Sequence, residues 1–268
     1  MLAPGDLFDL EGLTHAALFD GVELVWEALD KIKDFTRELV RQAGPQGDAL
    51  RLEGGEILAR TVVIHQGQMY SDDFQLLGGD PTKGQMRVRL LGHKVADAAV
   101  IHAGAMIMSD DVYFAPGVVV EPGALIKGPT FVGPCSEVRQ GAYLRGACLV
   151  GASCVVGHTT EMKNTVMLDG AKAGHFAYLG DSILGREVNL GAGTKLANLK
   201  MLERPTTIRA DGQEHRVTRR KFGAILGDWC QTGCNSVTNP GVILGPRSLV
   251  SPCLAVPSGF HKPRTVLR

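Results

Sequence analysis

The chain has 268 residues with 28 basic and 28 acidic side chains, so it carries no formal net charge. That balance offers no electrostatic attraction for a polyanion such as nucleic acid, and no apolar run approaches the roughly 20 residues of a membrane span. The opening MLAPGDLFDLEGL contains Asp and Glu without a basic n-region, so it does not read as a secretory signal; a cytoplasmic protein is the default expectation.

Residues 1–45 form a segment of their own. Between Val22 and Val40, the apolar residues Val25, Leu29, Ile32 and Leu39 recur at helical spacing. Asp20 is placed to cap the start, and Gly44-Pro45 ends the pattern. The expectation is one amphipathic helix packed on the rest of the chain, on a neighbouring subunit, or over an open end. Residues 46–95 are less regular. LRLEGGEILARTVVIH reads as short strands with turns, and QGQMYSDDFQLLGGDPTKGQ reads as a loop. GGDPTKG lacks the spacing of a P-loop, which is rejected.

From residue 96 to the end the chain is repetitive. Every sixth residue from Phe114 is large and apolar: Val120, Ile126, Val132, Val138, Leu144, Val150, Val156, Met162 and Leu168. A smaller side chain mostly follows four residues later. A period of six fits neither a helix nor a simple alternating strand. It fits an all-β solenoid whose aliphatics stack inside a prism. The repeat begins weakly at Ala96, His102 and Met108. After Gly180 its phase slips by four, to Leu184, Leu190 and Leu196. It breaks at Asn198 for an insertion, residues 199–224, and returns with Leu226, Thr232, Thr238, Leu244 and Val250. The insertion is basic, with Lys200, Arg204, Arg209, Arg216, Arg219, Arg220 and Lys221. Asp211-Gly212 is a hairpin-turn signal between TTIRA and HRVT. Such a run is either a solvated loop or a binding loop extruded from the solenoid.

None of the six cysteines forms a C-x-x-C pair. Cys148, Cys154 and Cys230 fall on the small inward position and read as buried free thiols rather than zinc ligands or disulfides.

With three hexads per coil, residues 18 apart stack. Arg145, Lys163 and Asp181 then form a column at a position that is Gly in the plainest repeats. Two stacked cations suit a phosphate. The alternative is an ion ladder in which Asp181 neutralises Lys163. His175 occupies the same hexad position on another face, within AGHFAY. It meets the column only if another face or another subunit folds round, so a site between subunits is expected.

EMKNTVMLDGAKAGHFAYLGDSILGREVNLGAGTKLAN, residues 161–198, resembles the acetyltransferase half of the bifunctional bacterial glucosamine-1-phosphate acetyltransferase/N-acetylglucosamine-1-phosphate uridylyltransferases. RRKFGAILGDWCQTGCNSVTNPGVILGPRS resembles archaeal sugar-1-phosphate nucleotidylyltransferases that carry the same repeat. The resemblance covers about residues 96–252. It implies a left-handed parallel β-helix, assembled as a homotrimer, that transfers acetyl from acetyl-CoA to an amino sugar phosphate, glucosamine 1-phosphate first, with no metal required. By the same resemblance Arg145, Lys163 and Tyr178 hold the sugar phosphate. His175 is the general base. Asn189 and Asn198 contact the sugar and the reacting acetyl group, and Glu161 orients the imidazole or holds the ammonium. Gly233, Cys234 and Pro252 line the acetyl-CoA groove. The bacterial pattern after Asn198, a Tyr-Asp-Gly stretch with a following Lys, is replaced here by Leu199-Lys200-Met201. About 95 residues before the repeat cannot hold a nucleotidyltransferase domain, so no uridylyl transfer is expected.

Three other readings compete. One is acyl transfer to another sugar or sugar nucleotide. Another is a zinc enzyme like the γ-class carbonic anhydrases, which take three His from two subunits. For that reading His102, His158 and His175 are the candidates, and the spacing of 17 between the last two does not fit an 18-residue coil. The third is a non-catalytic β-helix, which needs none of Arg145, Lys163, His175, Tyr178, Asn189 and Asn198.

Overall fold

A strand of two or three residues cannot bury a face alone, but stacking many of them can. A computed structural model describes residues 2–202, 205–210 and 212–268 and shows that arrangement. The chain winds through about nine coils of a parallel β-solenoid, consistent with a left-handed β-helix. Face 1 runs through Ala99–Ile101, Val119–Val120, Glu137–Val138, Val155–His158, Lys172–His175 and Asn189–Leu190 to Val266–Leu267. Face 2 includes Leu125–Lys127, Tyr143–Arg145, Glu161–Lys163, Tyr178–Gly180 and Lys195–Leu196. Face 3 includes Thr130–Val132, Cys148–Val150, Thr165–Met167, Ile183–Leu184 and Ala224–Leu226. The prism interior is filled by one aliphatic per face per coil. Ile126, Leu144, Met162, Leu179 and Leu196 form the column of face 2, all fully buried. Each such burial contributes at most roughly 1.5–3 kcal/mol.

The register differs from the hexad count in two places. Ile101 and Ile107, not His102 and Met108, stack under Val120 and Ile126, because the first coil carries an extra residue. The second difference bears on the site. Leu144 pairs with Met162, 18 residues on, but Met162 pairs with Leu179 and Val150 with Met167, both 17 on. The corner leaving face 2 takes two left-handed residues at Gly146-Ala147 and only one at Asn164 and at Asp181. Met167 rather than Leu168 therefore points inward. The phase slips by one at Asn164 and by one at Asp181, not by four after Gly180.

Face 3 is apolar outside as well as inside. Phe131, Leu149, Val166, Ile183, Ile225, Ile243 and Phe260 stand in register along its outer surface. The N-terminal segment covers them, with Val25, Ala28, Leu29 and Ile32 in the same buried cluster. The helix thus packs along the flank of its own solenoid. Helix α1 is Pro4–Leu7, and α2 runs from Ala28 to Ala43 after a 3₁₀ turn at Val25–Glu27. Asp20 is not its cap. The Glu27 carboxylate reaches back to accept from the backbone N–H of Glu23 and Leu24. Gly44, with φ 91°, ends α2 as expected.

Residues Gly47–Gly54 form a third helix, α3, where short strands were expected. Leu50 anchors it, fully buried against the first coil. Within the expected loop, Gln68–Tyr70 pairs back on Val62–His65, which adds antiparallel to Ala99–Ile101 and covers one end of face 1. Phe74–Gly78 pairs with Arg87–Leu90 in a separate antiparallel sheet. Tertiary pairing overrides weak local patterns at both places.

The insertion is a hairpin of Thr206–Ala210 on Gln213–Val217. Arg204 and Asp211, the latter part of the expected turn, lie outside the described residues. Ile208, Val217 and Phe222 pack into the N-terminal cluster, and Trp26 meets the rings of His215 and Phe222 at 5.7 and 6.4 Å. Ala224 already belongs to face 3, so the insertion ends at Gly223. Cys148, Cys154 and Cys230 are buried free thiols, and burial pushes each up to about 12.

Candidate functional site

The face 2 rungs place charged and polar residues side by side. Parallel pairing of Tyr143 with Glu161 and of Leu144 with Met162 brings Arg145 and Lys163, the next residue of each strand, to adjacent rungs, as the spacing predicts. It also aligns Tyr143, Glu161 and Tyr178. Adjacent parallel strands lie about 4.8 Å apart, so these side chains stand side by side. Arg145 Nη1 lies 2.6 Å from Glu161 Oε1, and its guanidinium lies 5.8 Å from the centre of the Tyr143 ring. That hydrogen bond raises the arginine above its ordinary range. Glu161 is thus engaged with Arg145 within one chain, not with His175.

Asp181 does not continue the column. Gly180 stands opposite Lys163, and Asp181 sits at the left-handed corner with only 5 % of its surface exposed. The short corner that removes one residue from this coil is the cause. Its carboxylate accepts from Asn164 Nδ2 at 3.0 Å and from Asn198 Nδ2 at 2.6 Å. Asn198 Oδ1 in turn accepts from the Tyr178 hydroxyl at 3.3 Å. A buried carboxylate therefore orients an amide, and the amide orients a phenol. Burial, then Glu161 and Asp181, raise the Tyr178 phenol, which stays a proton donor at neutral pH. Gly180 lies beneath this chain. A Cβ there would meet Asn198 Nδ2 at 2.5 Å and the Tyr178 hydroxyl at 2.8 Å, so only glycine lets both approach.

Lys221 joins this group from the insertion. Leu199 and Lys221 pair across the neck of the hairpin. The Phe222 N–H donates to the Asn198 carbonyl at 2.9 Å, and the Gly223 N–H to the Asp181 carbonyl at 2.9 Å. These bonds place Lys221 beside Lys163, whose carbonyl accepts from the Asp181 N–H at 3.0 Å. Lys221, followed by burial, lowers the Lys163 ammonium below its usual range. Sequence reasoning had Lys221 only as one member of a basic run. The available signal was the insertion itself, because its two ends must meet beside Asn198 when it rejoins the solenoid.

His175 lies elsewhere in the chain. It ends a strand of face 1, is exposed, and precedes the left-handed corner residue Phe176. His158 stands opposite it in register, since this coil has 17 residues. The spacing that argued against stacking of these two is the coil length here. Phe176 lies 5.2 Å from the His158 ring and 6.4 Å from that of His175. Among the described residues no group of three His, Cys, Asp or Glu side chains is gathered as for a metal ion. Asn189 shares face 1 with His175, one coil on from Lys172. The structure thus brings Arg145, Glu161, Lys163, Tyr178 and Asn198 together on one face, and His175 with Asn189 on another.

Gly233, Cys234 and Pro252 meet on adjacent coils. A Cβ on Gly233 would lie 2.4 Å from the Pro252 nitrogen, and the Cys234 carbonyl accepts from the Cys253 N–H at 2.9 Å. Cys234 is exposed. No helix among the described residues is long and apolar enough to cross a membrane.

The profile of the GMPPB C-terminal domain matches residues 126–259, which hold every one of these positions. Among curated proteins, the chain is 35 % identical over 151 residues to a bifunctional sugar-1-phosphate nucleotidylyltransferase/acetyltransferase of Sulfurisphaera tokodaii, covering 54 % of this chain and 38 % of that one. It is 33 % identical over 132 residues to the bifunctional protein GlmU of Methanococcus vannielii, covering 49 % and 30 %. With the GlmU of Stutzerimonas stutzeri it shares 35 % over 169 residues, covering 59 % and 34 %. The chain spans about a third of the length of these relatives.

Proposed function

The chain belongs to the GMPPB C-terminal domain family, and from that premise we propose that it is an acetyl-CoA-dependent N-acetyltransferase acting on an amino sugar phosphate, glucosamine 1-phosphate first. The reading draws on relatives whose printed names include acetyltransferase. The observation that carries it is the pair of cations on adjacent rungs, Arg145 and Lys163, beside the joined Tyr178 and Asn198. Two cations suit a phosphate, and Tyr178, its hydroxyl donating to Asn198, lines the seat beside them. Asn198 positions Tyr178 and offers its remaining amide N–H to substrate.

His175 is the base in this proposal. An amino sugar is largely an ammonium near neutral pH and has no lone pair to attack a thioester. The imidazole takes the proton from the amine. The amine nitrogen then bonds to the thioester carbon, the carbon–sulfur bond breaks, and the coenzyme A thiolate leaves and is protonated. Charge that develops on the carbonyl oxygen needs a fixed donor. The Ala192 N–H fits that role, near Gly233 and Cys234, since Gly191, Gly193 and Thr194 already donate theirs to the carbonyls of Thr232, His175 and Gly191. His175 and the phosphate seat lie on different faces, so the full site requires a neighbouring subunit, as in a homotrimer with its sites at the interfaces.

The test is release of free thiol from acetyl-CoA, measured across amino sugars and their 1-phosphates. Release with a phosphorylated amino sugar, and much less with its unphosphorylated form, is expected. No release with any amino sugar would overturn the proposal.

A further inference from the structure

Taking Arg145 and Lys163 as the phosphate seat, we infer that Lys221 completes it as a third cation and makes it select a terminal phosphomonoester over a phosphodiester. Three backbone contacts fix where Lys221 lies. Leu199 pairs with Lys221, the Phe222 N–H reaches the Asn198 carbonyl, and the Gly223 N–H reaches the Asp181 carbonyl. The residue therefore leaves the insertion beside the two groups that orient Tyr178.

The local charges point to the ligand. Arg145, Lys163 and Lys221 are positive, as is Lys127 one rung before Arg145 with its ammonium over the Tyr143 ring, whereas Glu161 and Asp181 are negative. Glu161 is engaged with Arg145, and Asp181 with Asn164 and Asn198. Lys163 and Lys221 thus face each other, while the nearest carboxylate, Asp181, is held by two amides. Two ammonium groups in contact repel unless an anion lies between them. Lys221, followed by burial, lowers the Lys163 ammonium below its usual range. A bound anion relieves the repulsion. A terminal phosphomonoester carries close to two negative charges above pH 7. A phosphodiester carries one and presents two rather than three free oxygens. Arg145 is already held by Glu161, and the Tyr178 hydroxyl donates to Asn198, so Lys221 beside Lys163 supplies the partner for the second charge and the third oxygen. A sugar 1-phosphate has this chemistry, and a sugar nucleotide does not.

Equilibrium binding of methyl phosphate and dimethyl phosphate to the intact protein at pH 8, by calorimetry, tests the assignment. The wild type should prefer methyl phosphate by about tenfold or more. Lys221→Gln should weaken methyl phosphate by about tenfold and dimethyl phosphate by much less, whereas Lys221→Arg should stay within a few fold of wild type. Lys221→Met offers a second neutral side chain of similar length if the Gln variant fails to fold. Unchanged methyl phosphate binding, or equal losses on both probes, would overturn the assignment. Binding is read without acetyl-CoA, so failure of thiol release leaves this result standing, and the reverse holds too.

Discussion

At the scale of single residues, the site divides labour between charge and proton transfer. His175→Ala should lower kcat by roughly 10²–10⁴-fold, the usual worth of a positioned base, with little change in KM. In the wild type kcat/KM should fall on the acid side in a one-proton step, and that step should vanish in the variant. Normal turnover with an unchanged pH profile would place the base elsewhere. Lys163→Ala addresses the other half. It should raise KM for a phosphorylated amino sugar by about tenfold or more, as expected for loss of a charge-assisted contact, and matter much less for the unphosphorylated sugar. Equal effects on both substrates would remove Lys163 from the phosphate seat. The sequence placed Arg145 beside Lys163 because both sit in an uninterrupted 18-residue stretch. Asp181 was misplaced because the corner shortened by one residue at Asn164 is masked by the apolar pair Met167-Leu168, either of which fits the inward position.

At the scale of elements, the N-terminal segment behaves as a strap along face 3. Thr14 donates through both its N–H and its hydroxyl to Asp169 Oδ2, and Asp228 accepts from the Asp9 N–H at 2.7 Å. Arg219 of the insertion pairs with Asp30 of α2, so strap and hairpin brace each other. His15 lies beneath this strap, 5 % exposed, edge-on to Phe131 at 5.1 Å. Burial lowers its pKa below 6.5, with Asp169 opposing only in part. The unfolded chain therefore binds a proton that the folded chain refuses. Stability should fall as pH drops from about 6.5 toward the lowered folded value, and level off below it. Thermal unfolding between pH 7.5 and 5 should show a steeper decline for wild type than for His15→Gln. His102 is also lowered by burial, but it remains in both proteins, so the difference isolates His15. Parallel slopes would mean that His15 keeps its proton when folded.

At the scale of the whole molecule, the geometry of one chain leaves the proposed site divided. The phosphate seat lies on face 2, while His175 and Asn189 lie on face 1. A prism has no means of bringing two outer faces together, but three prisms packed around an axis do. The protein should therefore sediment and scatter light as a trimer at micromolar concentration. A mixture of His175→Ala chains, slow in turnover, and Lys163→Ala chains, raised in KM, should exceed the mean kcat/KM of the two measured apart, because some interfaces then receive one intact half from each. A monomer, or no complementation after mixing and reassembly, would rule out a shared site.

What the sequence determined by itself was the solenoid. A hydrophobic period of six survives any local detail, because each inward aliphatic contacts only its own coil and the two beside it. Phe114 to Met162 could thus be counted directly, and with them the adjacency of Arg145 and Lys163. Gly44 and the run Val25, Leu29, Ile32 likewise marked α2 and where it stops. What only the tertiary structure decided was register after Lys163, the meeting of His158 with His175, and the arrival of Lys221. Coil length depends on how many left-handed residues a corner accommodates, and Asn164 and Asp181 look like any polar residue in a string. Lys221 lies 58 residues from Lys163 in the chain. Only closure of the insertion at Leu199, enforced by backbone hydrogen bonds that no side-chain pattern encodes, brings the two ammonium groups together.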